Sequence, residues 1–373
     1  MSLAPLISVP IYQPWMWGGR NLARVLGREL PPSGPVAESW EVSDVDGAVT
    51  TAESEPYVGK SLRDLIAQHG DAFLGAQANG KARRFPLLIK YLDAQQVLSV
   101  QVHPGDEYAA RHENGSSGKS EMWLVLEAQP GAEVIAGLEP GVGRKEVIAA
   151  LKEDRVPEIV RRHPVAAGDV ILIPAGRVHA LGAGIIALEI QQTSNVTYRL
   201  YDWGRVGADG RPRQVHVERS LEVIDFDDAA DPRLAPVARN EIWGTKKLLA
   251  VTPYFLTELW DSTNAWDIAQ PLSTGTTGFS PDVLMLLKGR VRLRWEGGVL
   301  EVPTGRTVVV PAALGEYAIE QKEPSCIVRS RMPDLDAGLG EWKPASPDER
   351  RRIEAVCDRR ACQRLFPSAE RGA

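Results

Sequence analysis

Short apolar runs, separated by glycine and proline, recur along most of the chain. Many of these runs are rich in Val, Ile and Leu, with polar residues at their ends. Short strands at regular spacing with frequent turn signals are typical of a β-sandwich or β-barrel. We therefore predict strands at residues 85–92, 97–103, 121–127, 169–174, 185–191, 283–289, 291–295 and 307–312.

Helical spacing of apolar residues is scarcer. The stretch 143–163 lies between two β regions and predicts a short helical insertion, about one helical hairpin at 140–163. Residues 216–226 predict another helix. In the tail, Ser346 followed by Pro347 is typical of an N-cap with proline at the first helical position, so we predict a docked C-terminal helix there.

Two segments of the chain share one pattern. Residues 168–181 and 305–319 each begin with a turn, continue as an apolar strand and pass through a proline-containing turn into another strand. When the two are aligned on these features, His179 falls on Glu316. Self-similarity of this kind indicates a repeated β unit. The second copy lacks the histidine, so we predict that it holds no metal.

Composition narrows the class of protein. The 373 residues are 43% apolar and 25% charged, as in ordinary globular proteins, and the net charge of −6 argues against general nucleic-acid binding. No apolar run approaches the roughly 20 residues that a membrane span needs. The N-terminus lacks the basic region of a secretory signal, and three cysteines are too few for a disulfide framework. We therefore predict a cytoplasmic protein without a membrane partner.

Polar side chains end the strand predicted at 97–103. Gln101 and His103 are two residues apart and therefore share one face of that strand. Glu121 opens the next strand, and His179 follows a Pro-Ala-Gly turn. Imidazoles and carboxylates bind zinc at about 2.0–2.2 Å, and ligands on adjacent strands can converge in the mouth of a barrel. We predict a metal site made by these four residues.

Each of the four also has an ordinary structural explanation. Gln101 and His103 fit polar residues at a strand rim. Glu121 fits a carboxylate at a strand start, and His179 fits a hydrogen-bonded histidine of the core. Because amides are poor ligands, Gln101 either binds the metal directly or only orients the ligands that do.

The spacing G-x5-P-x-G-x2-H over residues 168–179 resembles the second motif of the cupin superfamily without its terminal asparagine. Further stretches resemble type I mannose-6-phosphate isomerase (phosphomannose isomerase) in its short bacterial form, over most of residues 10 to 330. These stretches are W-G-G (17–19), E-S-W-E-V-S (38–43), K-Y-L-D-A (90–94), L-S-V-Q-V-H-P (98–104), G-K-S-E-M-W (118–123), I-P-A-G-R-V-H-A-L-G (173–182) and E-I-Q-Q-T-S-N-V-T-Y-R-L-Y-D-W (189–203).

The resemblance implies a mainly β fold with two cupin-type (jelly-roll) barrel units, a short helical insertion and a C-terminal helix. We expect a catalytic metal-binding domain over 1–245, a metal-free cupin domain over 246–335 and a helical tail over 336–373. The boundary near 245 follows the irregular acidic segment 225–240.

The resemblance also implies a zinc-dependent interconversion of mannose 6-phosphate and fructose 6-phosphate through an enediol, with one cation per chain. The implied zinc ligands are the same four residues found from spacing. The implied substrate pocket, in which Arg199 and Lys119 are the expected catalytic residues, is built from Trp17, Glu38, Ser99, Lys119 and Arg199.

Alternatives remain at several of these positions. Lys119 suits either phosphate binding or acid–base chemistry, or is a solvated loop lysine, while Arg199 has an ion pair with Asp202 or Glu189 as its structural explanation. Asn195 stands where the family often has aspartate and cannot act as a carboxylate base. Two rival functions are a cupin oxygenase or decarboxylase, and a non-catalytic sugar-phosphate-binding bicupin. The oligomeric state does not follow from the sequence.

Overall fold

The computed structural model describes residues 3–78, 83–206, 210–263 and 271–367, and strands dominate it. The strands are β1 (Leu6–Ile7), β2 (Ile11–Gln13), β3 (Glu38–Val42), β4 (Asp44–Val45), β5 (Ala48–Val49), β6 (Leu87–Ala94), β7 (Val100–Val102), β8 (Glu121–Ala128), β9 (Glu133–Leu138), β10 (Val160–Pro164), β11 (Val170–Ile173), β12 (His179–Ala180), β13 (Ile185–Gln192), β14 (Tyr198–Tyr201), β15 (Arg233–Leu234), β16 (Val237–Glu241), β17 (Gly244–Val251), β18 (Leu256–Asp261), β19 (Leu272–Gly275), β20 (Asp282–Lys288), β21 (Val291–Trp295), β22 (Gly298–Val302), β23 (Thr307–Val310), β24 (Glu316–Gln321) and β25 (Cys326–Arg331).

The helices are short and lie outside the sheets. They are α1 (Leu22–Leu26), α2 (Leu62–His69), α3 (Asp71–Leu74), α4 (Asp106–His112), α5 (Arg144–Lys152), α6 (Val217–Val223), α7 (Pro347–Glu354) and α8 (Arg359–Leu365), with 3-10 turns at Ala76–Ala78, Val156–Glu158 and Gly340–Trp342. Every strand predicted from the sequence is confirmed, as is the helix expected within 216–226. Among the described residues no helix is both long and apolar enough to cross a bilayer.

The sheets form two jelly-roll units with matching strand order. The first unit has a seven-stranded sheet, β15-β11-β8-β13-β6-β3-β2, facing a five-stranded sheet, β10-β9-β12-β7-β14. The second unit has the sheets β1-β23-β20-β25-β18-β17-β16 and β19-β24-β21-β22. The predicted mainly β fold of two cupin-type units is therefore confirmed. The N-terminal strand β1 pairs with β23 and so belongs to the sheet of the second unit.

The two seven-stranded sheets pack against each other through one apolar cluster. Strand β6 is buried at every position, because alternate residues serve different layers. Ile89 and Tyr91 face the cluster shared with Met285 and Val328 of the second unit. Lys90 and its alternate neighbours point into the interior of the first unit. Each large apolar side chain buried in this way contributes about 1.5–3 kcal/mol.

Two local predictions were incomplete. The helical hairpin expected at 140–163 is wrong in its second half: α5 ends at Lys152, Asp154 takes a positive φ of 55°, and Val160–Pro164 pairs with β9 as a strand. The tail forms two helices instead of one. Ser346 caps the first helix as predicted, and the Asp358 side chain accepts a hydrogen bond from the Ala361 backbone N–H at the start of the second.

Candidate active site

Three adjacent strands of the five-stranded sheet direct polar side chains into the interior of the first unit. Strand β7 lies between β12 and β14. Gln101 of β7 is directly opposite His179 on one side and Arg199 on the other. Residues directly opposite in antiparallel strands project to the same face. Register thus brings together three side chains that are far apart in sequence.

The two histidines present matching ring edges to the interior. His103 Nδ1 lies 2.9 Å from the Val196 carbonyl oxygen, and His179 Nδ1 lies 2.8 Å from that of Arg177. A carbonyl only accepts, so each Nδ1 carries the proton and each Nε2 presents a lone pair. Burial lowers the pKa of His179 to about 3 and that of His103 well below its usual value. Both rings are therefore neutral at physiological pH, the form that binds metals.

Both Nε2 atoms face the carboxylate of Glu121, which is completely buried. His179 Nε2 lies 3.3 Å from Glu121 Oε1, and His103 Nε2 lies 3.5 Å from Oε2. Neither carboxylate oxygen receives a well-oriented hydrogen bond from the described residues, and burial raises the pKa of Glu121 to about 7. Two imidazole lone pairs and a carboxylate that face one another at these distances are all electron-pair donors of the kind that bind a metal, so these residues fit a metal ion. Among the His, Cys, Asp and Glu side chains of the described residues, His103, Glu121 and His179 are the group whose ligand atoms lie close enough together to bind a single ion.

Gln101 lies at the edge of this group. Its Nε2 is 3.3 Å from His179 Nε2, and its Oε1 is 3.4 Å from the hydroxyl of buried Ser99. The orientation of an amide is an assignment, and a half-turn about the last side-chain bond exchanges oxygen and nitrogen. In the exchanged orientation the Gln101 oxygen takes the place of its nitrogen, 3.3 Å from His179 Nε2. Whether Gln101 is a direct ligand stays a prediction.

Lys119 reaches the same group from the loop before β8. Its side chain is buried, and Nζ lies 2.8 Å from Glu121 Oε2 and 2.9 Å from His103 Nε2. The burial excludes the alternative of a solvated loop lysine. A cation of the protein itself therefore lies within the ligand group.

Arg199 does not form the ion pairs considered from the sequence. Asp202 pairs instead with Arg205 and Arg213, and Arg199 Nη1 donates to the Gln214 carbonyl at 2.7 Å. Arg199 Nε is buried without a hydrogen-bond partner among the described residues. Burial and the neighbouring arginines lower the pKa of Arg199, although the group stays charged. Its guanidinium retains capacity to bind an anion.

Trp17 and Glu38 enter from the N-terminal segment. Trp17 is buried in the apolar cluster that includes Trp123, whose ring meets His179 edge-on at 5.7 Å between centroids. The W-G-G stretch requires glycine because a Cβ on Gly18 would lie 2.3 Å from the Ala37 backbone. Glu38 accepts a hydrogen bond from the Trp40 indole and lies 3.9 Å from the ammonium of Lys90.

Comparisons with known proteins identify the family. The profile described as phosphomannose isomerase type I, catalytic domain, matches residues 7–128. The chain is 34% identical to mannose-6-phosphate isomerase ManA of Bacillus subtilis, across 86% of this chain and 97% of that protein. It is 37% identical to the mannose-6-phosphate isomerase of Streptococcus mutans, across 66% of this chain and 75% of that protein.

The chain belongs to the type I phosphomannose isomerase family. A crystal structure of the Bacillus subtilis mannose 6-phosphate isomerase matches it with a TM-score of 0.78 at 27% identity, over 88% of this chain and 99% of the other. The family resemblance seen in the sequence motifs is therefore confirmed.

The buried ion pair of Lys90 and Glu189 in this phosphomannose isomerase was not predicted from the sequence. Lys90 Nζ lies 2.9 Å from Glu189 Oε1, and the Trp123 indole donates to the other oxygen of Glu189 at 3.0 Å. All three side chains are buried in the interior that holds Glu121 and His179. The sequence does carry a signal: a lysine within the apolar run 85–92, and a glutamate within 185–191, suggest a buried pair.

A large cavity near this site has none of the proposed metal ligands in its lining. It encloses about 1240 Å³ between the two units and is lined by the loops at 113–117 and 192–198, together with Tyr254 and Met332 of the second unit. Asn195 is exposed in this cavity and does not belong to the group of His103, Glu121 and His179.

Proposed function

We propose that the protein is a zinc-dependent aldose–ketose isomerase that interconverts mannose 6-phosphate and fructose 6-phosphate through an enediol. The observation that carries the proposal is the group formed by Glu121 and the two histidine Nε2 atoms, with Lys119 beside it. Family membership supplies the substrate class, since named relatives are mannose-6-phosphate isomerases.

His103, Glu121 and His179 would hold the metal, with Gln101 as the proposed fourth ligand. A mixed set of imidazole and oxygen donors suits zinc, which has no redox chemistry to complicate an isomerisation. A divalent ion bound there would polarise the sugar carbonyl and stabilise negative charge on its oxygen.

Arg199 and Lys119 are the proposed catalytic residues. The reaction removes the proton from C2 and delivers a proton to C1, while another proton moves between the two oxygens. Lys119, held among the ligands, is proposed to exchange the proton of the oxygens. Arg199 is proposed to stabilise the enediolate oxygen, a contribution of about 2.7–4 kcal/mol for one preorganised donor.

Trp17, Glu38, Ser99 and Lys119 are the proposed substrate-binding residues. Ser99 adjoins Gln101 and offers a hydroxyl to the sugar phosphate. Trp17 offers an apolar wall, and Glu38 is held by Trp40 and Lys90 as an acceptor for sugar hydroxyls. The proposed partner is a small sugar phosphate, with no nucleic acid or membrane partner. Three unpaired cysteines agree with the proposed cytoplasmic location.

The proposed domain organisation assigns the catalysis to residues 1–245. Residues 246–335 form the proposed metal-free unit, and residues 336–373 form the proposed tail. The hairpin of β16 and β17 crosses the boundary, since Val237–Glu241 pairs with Gly244–Val251 in the sheet of the second unit.

A coupled assay tests the proposal. The purified protein is given mannose 6-phosphate, and fructose 6-phosphate is detected before chelation, after chelation and after zinc is restored. We expect turnover that disappears with the metal and returns with zinc. Absence of turnover in the zinc-loaded protein contradicts the proposal. Substrate binding without turnover favours the sugar-phosphate-binding alternative, and bound iron with consumption of dioxygen favours the oxygenase.

A further inference from the structure

The loop that carries Lys119 and leads into Glu121 is held at each of three consecutive backbone N–H groups. Gly118 N donates to the side chain of Asp106 at 2.8 Å. Lys119 N donates to the Pro104 carbonyl at 3.0 Å, and Ser120 N donates to the side-chain oxygen of Gln192 at 2.9 Å. The position of this loop is therefore set by its neighbours, and Asp106 is one of them.

The Asp106 carboxylate connects this loop to the second unit. Its Oδ1 accepts from Gly118 and also from Gln192 Nε2 at 2.9 Å. Its Oδ2 accepts from the hydroxyl of Tyr254 at 2.8 Å. Tyr254 lies in the turn between β17 and β18, so the donor belongs to the unit that does not carry the ligand group.

The C-terminal tail extends the same series of contacts. Arg360 of α8 donates to the Tyr254 hydroxyl at 3.2 Å. Asp358 N, at the start of that helix, donates to the Val251 carbonyl, which fixes the tail on β17. Burial and the Asp106 carboxylate raise the pKa of Tyr254, so the phenol keeps its proton and remains a donor.

Close packing makes the contact between Asp106 and the loop stiff. A Cβ on Gly118 would lie 2.6 Å from the Asp106 backbone nitrogen and 2.9 Å from the Pro104 oxygen. The two segments touch without room for a side chain, so a shift of Asp106 moves Gly118 with it. Lys119 and Glu121 follow Gly118 within three residues.

We propose that Tyr254 is a positioning residue for the metal site, through which the second unit and the tail hold Asp106 and thereby orient Lys119 and Glu121. Groups that orient metal ligands change affinity and rate when they are lost. The catalytic part of this inference rests on the proposed isomerisation, whereas the effect on metal affinity rests only on the proposed ligand set. It gives the second unit and the tail a role in the chemistry of the first unit.

The test compares two tyrosine variants that each lose one hydroxyl bonded to an aspartate. Tyr254→Phe removes the donor to Asp106, and Tyr317→Phe removes a 2.8 Å bond to Asp282 inside the second unit. Zinc affinity of the folded full-length proteins is measured by competition with a chromophoric chelator, and kcat and KM for mannose 6-phosphate are measured separately.

We expect Tyr254→Phe to weaken zinc binding about 3- to 10-fold, below the range for direct partners of a ligand, because the lost bond is two contacts away. We expect kcat to fall while KM stays within about twofold, because Lys119 is moved more than the substrate-binding residues. Tyr317→Phe should lower the unfolding midpoint and leave zinc affinity unchanged.

Unchanged zinc affinity in Tyr254→Phe overturns the inference, and so does an equal loss of affinity in Tyr317→Phe, which would indicate general loosening of the second unit. Asp106→Asn is a second variant, expected to weaken zinc binding more than Tyr254→Phe because it acts directly on Gly118. If the wild type fails to isomerise mannose 6-phosphate, the proposed function fails while the zinc affinities still decide this inference.

Discussion

The two jelly-roll units share a strand order but place different positive charges in their interiors. Glu121 begins β8 opposite Ile173, and Asp282 begins β20 opposite Val310, so the two carboxylates occupy matching positions. In the first unit the carboxylate faces two imidazole lone pairs. In the second unit, Arg329 Nη2 lies 2.7 Å from Asp282.

In the second interior, the cation beside the buried carboxylate is therefore a side chain of the protein, Arg329. The Arg329 guanidinium also contacts Glu258, the Gly275 carbonyl and the Thr274 hydroxyl, and Tyr317 donates to Asp282 at 2.8 Å. In the first interior Lys119 contacts Glu121, and the two imidazoles beside that carboxylate form with it a group that could hold a metal ion. One fold thus solves the same electrostatic problem, a buried carboxylate, in two ways.

A second matching pair has its charges reversed. Lys90 and Glu189 are directly opposite on β6 and β13, and Glu258 and Arg329 are directly opposite on β18 and β25. Each pair is buried and ion-paired, and in each the carboxylate accepts from a tryptophan indole. Strands β6 and β18 occupy equivalent places in the two sheets, as do β13 and β25. The positive charge lies on β6 in the first unit but on β25 in the second.

The largest expected effect comes from removing a ligand of the first unit. His179→Ala should lose the bound metal together with activity, by more than about 100-fold, because even groups that only orient ligands are worth about 10- to 100-fold. Metal content by elemental analysis and the isomerase rate check this. Full metal occupancy in the variant would show that the ligand assignment is wrong.

Glu316→Ala is the matched control, since Glu316 aligns with His179 in the sequence. Glu316 is exposed, whereas Tyr317 points into the second interior towards Asp282, so metal content should not change. A drop in metal content there would mean that the second unit also binds metal.

The next largest effect is expected when the buried arginine of the second unit is removed. Arg329→Met should destabilise the protein by about 3–5 kcal/mol, because it leaves Asp282 and Glu258 buried without their central cation. Urea unfolding measures the loss. Metal content per folded molecule should stay at the wild-type level, and the exposed variant Arg294→Met should change stability by less than about 0.5 kcal/mol.

The stability of the protein in acid should depend on the same cluster, through Glu258 beside Arg329. Burial alone would raise the pKa of Glu258, but Arg331, Arg329 and Lys246 outweigh it and lower the pKa from 4.5 to about 2. The folded carboxylate binds its proton more weakly than the unfolded one, so its stabilisation is present above pH 4.5 and is lost as the pH falls towards 2. Glu258→Gln should be less stable at neutral pH and show a flatter decline over this window in acid-unfolding curves.

The smallest effect concerns Gln101. If its oxygen binds the metal, Gln101→Ala should weaken zinc affinity by about 10-fold while the three stronger ligands retain the ion. Chelator competition measures this, with Ser99→Ala as the control because its hydroxyl only adjoins the amide. Equal affinities in wild type and Gln101→Ala would limit Gln101 to a role outside the ligand set.

Periodicity and motif spacing predicted the strands, the repeat and all three members of the His103–Glu121–His179 group. They did so because strand alternation and turn residues are local properties of the chain. Alignment by counting residues failed at one point: it placed Glu316 at the interior position that Tyr317 occupies. A one-residue shift in a turn reverses which side chain points inward.

Helical spacing over 143–163 also predicted the wrong structure for the end of that stretch. Val160–Pro164 forms a strand because it pairs with β9, and this pairing cannot be recognised from the local sequence pattern. The sequence by itself determined the fold class and the residues of the His103–Glu121–His179 group, in their order along the chain. Only the tertiary structure decided that Lys119 lies between the ligands, that Arg329 neutralises the second interior and that Tyr254 reaches Asp106. These contacts join residues distant in sequence, and packing between sheets and units sets them.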